Sequence, residues 1–140
     1  MEPTINYFAV VVSAVLSMLI GGIWYGPLFG KKWMEIVGVS ASDLEARKKM
    51  QQSAGPLYAL QFFLTLFQVL VLAHLIADTT RATGLERSLW ICVAFVLPTV
   101  AGASMWTAEP AHQKRARFLI QAGYQIVLFM SFGLILHFWK

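Results

Sequence analysis

Apolar positions along this chain neither alternate nor cluster briefly. They run on in four stretches, at about 5–25, 57–77, 89–106 and 118–139, and none of these contains Asp, Glu, Lys or Arg. A helix needs roughly 20 apolar residues to cross about 30 Å of hydrocarbon. Open strands are excluded as spans, because lipid offers no partner to an unpaired sheet edge. The pattern predicts an all-α polytopic membrane protein: one membrane domain over residues 1–140, built as a four-transmembrane-helix bundle. The flank Met1-Glu2-Pro3-Thr4 carries no Lys or Arg. A secretory leader needs a positive n-region, so the first span is expected to be retained.

Polar and aromatic positions refine the spans. Tyr7, Trp24, Tyr25, Trp33, Tyr58, Trp90, Trp106 and Trp139 fall at or near the predicted ends. Amphipathic rings favour the headgroup level, so Trp24, Tyr25, Trp33, Trp106 and Trp139 are expected to act as interface anchors. The long first loop, residues 26–56, opens with Gly26-Pro27-Leu28-Phe29-Gly30, which should end the first helix. Phe29, Trp33, Ile36 and Val37 then share one helical face, which predicts a short amphipathic helix lying in the interface. Ser40 or Ser42 would cap a second loop helix, with Asp43 and Glu45 at capping-box spacing.

Helices in lipid associate through close packing and polar contacts, since lipid removes the hydrophobic drive between them. Ser13, Ser17 and Gly21 recur every four residues in span one, with Gly22 and Gly26 beside them. This small-residue face should meet another helix, of the same chain or of another. Gly102 lies on a comparable face of span three, where Pro98 should kink the helix and Thr99 should satisfy part of the freed backbone. Gln61, Thr65 and Gln68 share a face of span two, and Gln121 and Gln125 share one of span four beside Tyr124. Amides facing lipid are costly, so these faces should turn inward, either as interhelical glue or as a polar pocket.

Charge sets an orientation. Eight basic residues (Lys31, Lys32, Arg47, Lys48, Lys49, Lys114, Arg115 and Arg117) lie in loops one and three, against Arg81, Arg87 and Lys140 on the other side. The bias predicts cytoplasmic loops one and three and both termini outside, in the cell (inner or plasma) membrane. The net charge of +4 finds its simplest counter-charge in anionic lipid headgroups, and nucleic acid is not an expected partner.

Candidate chemistry is sparse. Cys92 is the one cysteine and lies within a span, where it reads as a small buried residue. His74 and His137 sit near the outer ends of their spans, where they could meet as a weak metal or proton site or stand as two interfacial histidines; two histidines do not make a zinc site. All seven acidic residues lie outside the spans, and no P-loop, dinucleotide fingerprint, GxSxG or HExxH occurs. Ser13, Ser17, Ser104 and Ser131 have no base in sequence reach. No enzyme activity, metal or other cofactor is expected.

Three stretches carry a resemblance: Ile5-Asn6-Tyr7, then Trp24-Tyr25-Gly26-Pro27-Leu28-Phe29-Gly30-Lys31 with Trp33-Met34, and Gln121-Ala122-Gly123-Tyr124-Gln125. In order and spacing they resemble the bacterial and fungal membrane family called domain of unknown function 1761. The likeness implies a four-helix membrane fold and supplies no activity or substrate. It points to Asn6, Trp24, Tyr25, Pro27, Trp33, Gly123 and Tyr124. Gln121 stands where the family motif is expected to carry Asn, which keeps an amide but changes its reach.

Two roles follow as expectations. One is a helix-packing protein, either a homo-oligomer or a small subunit of a larger membrane complex. The other is a small transporter or binder of a lipophilic ligand, using Asn6, Gln61, Gln68, Gln121, Tyr124 and Gln125 between helices.

Overall fold

The computed structural model describes residues 4–40, 42–77 and 83–139. The flank Met1-Glu2-Pro3, together with Arg81 and Lys140 of the charge comparison, lies outside the described residues. Five helices follow in order: α1 (Tyr7–Leu28), α2 (Gly30–Ile36), α3 (Leu44–Ala77), α4 (Gly84–Met105) and α5 (Ala111–Phe138). Among the described residues there is no strand. All but α2 are long and apolar enough to cross a membrane.

Helix ends depart from the hydropathy limits, because backbone caps rather than solvent set them. Asn6 starts α1, its Oδ1 accepting the Ala9 N–H at 3.1 Å. The expected second loop helix is not separate. It is continuous with span two through Gly55-Pro56, and Asp43 caps it by accepting from Ala46 N at 3.0 Å. Ser40 and Ser42, expected as caps, bond each other at 2.7 Å instead. Pro56 costs the ladder a bond where Gln52, four residues before it, is exposed, so the helix tolerates it. Thr83 starts α4 by accepting from Glu86 N at 3.2 Å, and Pro110 sits at the start of α5.

Gly26-Pro27 does not end α1 where expected. Trp24–Leu28 form a widened π turn, closed by Phe29 N–H donating to the Trp24 carbonyl at 2.9 Å. A wider turn moves the carbonyl that a proline ring would strike and needs no N–H from Pro27. The break follows at Phe29, and α2 begins at Gly30. A second π turn, Cys92–Val96, precedes Pro98 in α4. Thr99 Oγ1 donates to the Phe95 carbonyl at 2.7 Å, not to that of Ala94, which an α-helical Pro98 would leave free.

The expected short helix of loop one is present as α2, with Ile36 buried and Trp33 half-buried. It ends in a left-handed turn at Gly38, φ 78°, where Val39 N–H reaches the Met34 carbonyl at 2.9 Å.

The bundle is two helical hairpins, α1 on α3 and α4 on α5, joined where α1 meets α5. Its core gathers Ala9 and Val10, Val69, Leu72 and Ala73, and Phe129 and Phe132. These lie in the first turn of α1 and the second halves of α3 and α5, so the core occupies the end of the bundle away from loops one and three. At the loop-one end α3 leaves its neighbours: from Leu57 to Leu64 only Phe62 is as much as half-buried. Several hydroxyls within the spans donate to carbonyls of their own helices, as Ser17 does to Ala14 and Ser131 to Val127, which satisfies them without water. Ser13 Oγ, also buried, has no hydrogen-bond partner among the described residues.

Candidate functional site: an amide-lined lateral groove and the aromatic lock beside it

The first-loop motif and the span-four motif meet. Trp24 lies across α5: its Nε1–H donates to the Ile120 carbonyl at 2.9 Å. Its ring fills the space above Gly123, where a Cβ would stand 2.9 Å from Cζ2. Tyr124 answers from α5. Its hydroxyl donates to the Ser17 carbonyl at 3.1 Å and sits over Gly21, where a Cβ would lie 3.0 Å from that oxygen. Tyr25 packs edge-on against both Tyr124, at 5.3 Å between centroids, and Trp33, at 4.9 Å. Gly30 permits the sharp turn into α2, since a Cβ there would stand 2.8 Å from the Tyr25 carbonyl oxygen.

Trp33 also takes the Arg117 guanidinium over its ring at 5.3 Å. Arg117 is paired with Glu109, Nε to Oε2 at 2.9 Å, and both side chains are under one-fifth exposed. The hydrogen bond from Arg117, joined by one from Thr107, holds the Glu109 carboxyl below the usual carboxylate range. Loop three, α2, α1 and α5 are thereby locked at one end.

Trp24, Tyr25 and Trp33, expected as interface anchors, are therefore half-buried within this lock. Trp106, 90% exposed, and Trp139, 45% exposed, lie at helix ends.

Beside the lock, the divergence of α3 opens a groove of about 490 Å³ between α3, α4 and α5. Gln61 and Gln68 line it from α3 and Gln125 from α5; Ile91, Val96 and Phe129 close its far wall. Val71 and Leu75 form its lip and are 42% and 46% exposed, so the groove faces sideways, toward lipid. Gln61 Nε2 donates to Thr65 Oγ1 of its own helix at 3.1 Å. Gln125 Oε1 is buried and has no hydrogen-bond partner among the described residues.

The expected ligand-binding set is thus divided. Gln61, Gln68 and Gln125 come together. Tyr124, next to Gln125 but about 100° round the helix, belongs to the lock. Gln121 is half-buried and outside the groove lining. Asn6 caps α1 at the opposite end of the bundle. The small-residue face divides as well. Ser13 and Ser17 are buried within the chain and Gly21 meets Tyr124. Gly22, Gly26 and Gly102 have nothing within 4 Å of where a Cβ would stand.

The closest crossing lies elsewhere, between α4 and α5. A Cβ on Gly133 would fall 2.8 Å from Leu85 Cα and 2.8 Å from Ser88 Cβ; one on Gly84 would fall 2.9 Å from the Gly133 carbonyl. Ser88 donates to the Phe129 carbonyl across the same contact. Gly84 and Ser88, four apart, carry a small-residue signal that a span start at residue 89 conceals. His137 Nδ1 accepts the Gly84 N–H at 3.4 Å, while His74 Nδ1 bonds the Leu70 carbonyl of its own helix at 2.8 Å. Among the described residues no three His, Cys, Asp or Glu side chains converge as a metal site would require. Cys92 is fully buried in the core.

Four helices long and apolar enough to cross a membrane define a polytopic all-α membrane bundle. The chain belongs to the family described as protein of unknown function (DUF1761), whose model matches residues 8–137. No curated protein and no solved structure matches it.

Proposed function

We propose that the protein is a non-catalytic membrane binder, holding or carrying a lipophilic molecule in the groove between α3, α4 and α5. The observation that carries this reading is the state of the amides. Interhelical glue would join Gln61, Gln68 and Gln125 across helices. Gln61 instead bonds Thr65 of its own helix, and Gln125, which lines a groove of about 490 Å³, has no partner for its buried Oε1 among the described residues. Such a volume, mostly apolar with a few polar groups, is the usual form of a small-molecule site. The small-residue face that would argue for self-association is in part used inside the chain, by Ser13, Ser17 and Gly21.

Diazirine-tailed twelve-carbon probes with alcohol, methyl ether and carboxylate heads test the reading on the full chain in liposomes. Saturable labelling by at least one probe is expected in the α3 segment 64–75 and around Phe129 of α5, and Val71→Trp should largely abolish it. Unsaturable labelling spread evenly over all exposed helix faces would overturn the reading.

In this proposal the protein resides in the cell (inner or plasma) membrane, with loops one and three cytoplasmic and both termini outside. The basic residues of those loops support it. Ser42 and Glu86 are exposed at opposite ends of the bundle. A cysteine at Ser42 should react with a membrane-impermeant maleimide only in broken cells, and one at Glu86 in intact cells too. The reverse pattern refutes the orientation.

A further inference from the structure

We infer that the groove selects its ligand by a neutral hydrogen-bond donor, a hydroxyl or N–H head accepted by Gln125 Oε1, with the tail running away from loops one and three. The inference rests on the proposed binding role and adds the ligand's chemistry and direction.

Three observations carry it. First, among the described residues no Asp, Glu, Lys, Arg or His lines the groove. A charged head would lose its hydration there without a counter-charge, so the head is neutral. Second, Gln125 Oε1 is a buried acceptor with no donor among the described residues. Buried polar groups in native folds are nearly always matched, and a turn of the Gln125 amide about its terminal bond presents this unmatched oxygen to the groove that the side chain lines. An acceptor lacks a donor, which excludes ethers, esters and bare hydrocarbons as the preferred head.

Third, the lining is graded. α3 runs away from loop one and α5 away from loop three, so residue order on both gives depth in the same sense. Gln61, Gln68 and Gln125 all lie in the half nearer loops one and three, where Leu64, Phe67 and Val96 stand among them. The deeper half is lined by apolar side chains alone: Val71, Leu72, Leu75 and Phe129, with Ile91 from α4, which runs the other way. A molecule with one polar end matches this lining in only one direction.

The same three probes decide it. The alcohol should half-saturate at a concentration about tenfold below its methyl ether, the worth of one buried hydrogen bond. Gln125→Met, which keeps volume and removes the acceptor, should erase that preference. Methyl ether labelling should be unchanged in the variant, which also reports an intact groove. A diazirine at the tail end should mark Leu75 and Ile91 rather than Gln61. Equal binding of alcohol and ether to the unaltered protein, preference for the carboxylate, or tail labelling at Gln61 overturns the inference while leaving the binding role standing. Absence of saturable labelling by all three probes removes the binding role itself, and this inference with it.

Discussion

Gly133→Ala is expected to destabilise the folded bundle by about 3 kcal/mol, at the upper end of the usual cost of overpacking. One added methyl has nowhere to go. Its carbon would stand 2.8 Å from Leu85 Cα and 3.0 Å from the Gly84 carbonyl, and both are backbone atoms that cannot rotate aside. Relief requires α4 and α5 to separate. Separation also lengthens the Ser88 hydrogen bond to the Phe129 carbonyl, and in lipid neither group has water to turn to. Gly102→Ala is the matched control. It adds the same methyl to α4 with nothing within 4 Å, so its effect should stay within about 1 kcal/mol and can be stabilising through helix propensity. Thermal unfolding of both variants in one detergent checks the contrast. Equal losses from the two would show that the crossing is not where the bundle's stability resides.

Sequence made the spans legible because lipid tolerates no charge, and runs free of Asp, Glu, Lys and Arg are visible without any knowledge of packing. Their ends were less legible. Hydropathy reports the surrounding solvent, whereas a helix continues until its backbone is capped, and α3 continues past Pro56 to Asp43. Aromatic residues near span ends carry the same ambiguity. A Trp at the headgroup level and a Trp laid across a neighbouring helix look alike in sequence. Trp24 is laid across α5, because its partner Ile120 lies 96 residues away in sequence. The glutamine faces were readable from helical periodicity, which is why Gln61, Gln68 and Gln125 converge. The span-four positions misled for Tyr124, which points to another helix, and for Gln121, which shares a face with Gln125 yet lies outside the groove lining. The groove itself was invisible, since it arises from α3 splaying away from its neighbours, a property of crossing angles and not of any residue.

The first-loop motif therefore acts on packing, and a double-mutant cycle separates this from a surface role. Trp24→Ala should cost about 3 kcal/mol, the low end for truncating a large aromatic, because the ring is half-buried. Trp24→Phe keeps most of the ring and loses the N–H bond to the Ile120 carbonyl, so about 1 kcal/mol is expected. Gly123→Ala in the unaltered protein drives a methyl to 2.9 Å from Trp24 Cζ2, a ring that the Ile120 bond holds in position, and should cost roughly 1–3 kcal/mol. In the Trp24→Ala background the ring is gone and the space above Gly123 is open. The same Gly123→Ala change should then be neutral or stabilising. The two substitutions are thus expected to be non-additive by about the full cost of the clash, as residues in direct contact are. A headgroup anchor makes the opposite demand: Trp24 would matter through its depth in the membrane, and its replacement would leave the cost of Gly123→Ala unchanged. Additive losses in detergent unfolding would return Trp24 to the interface and detach the first-loop motif from that of span four.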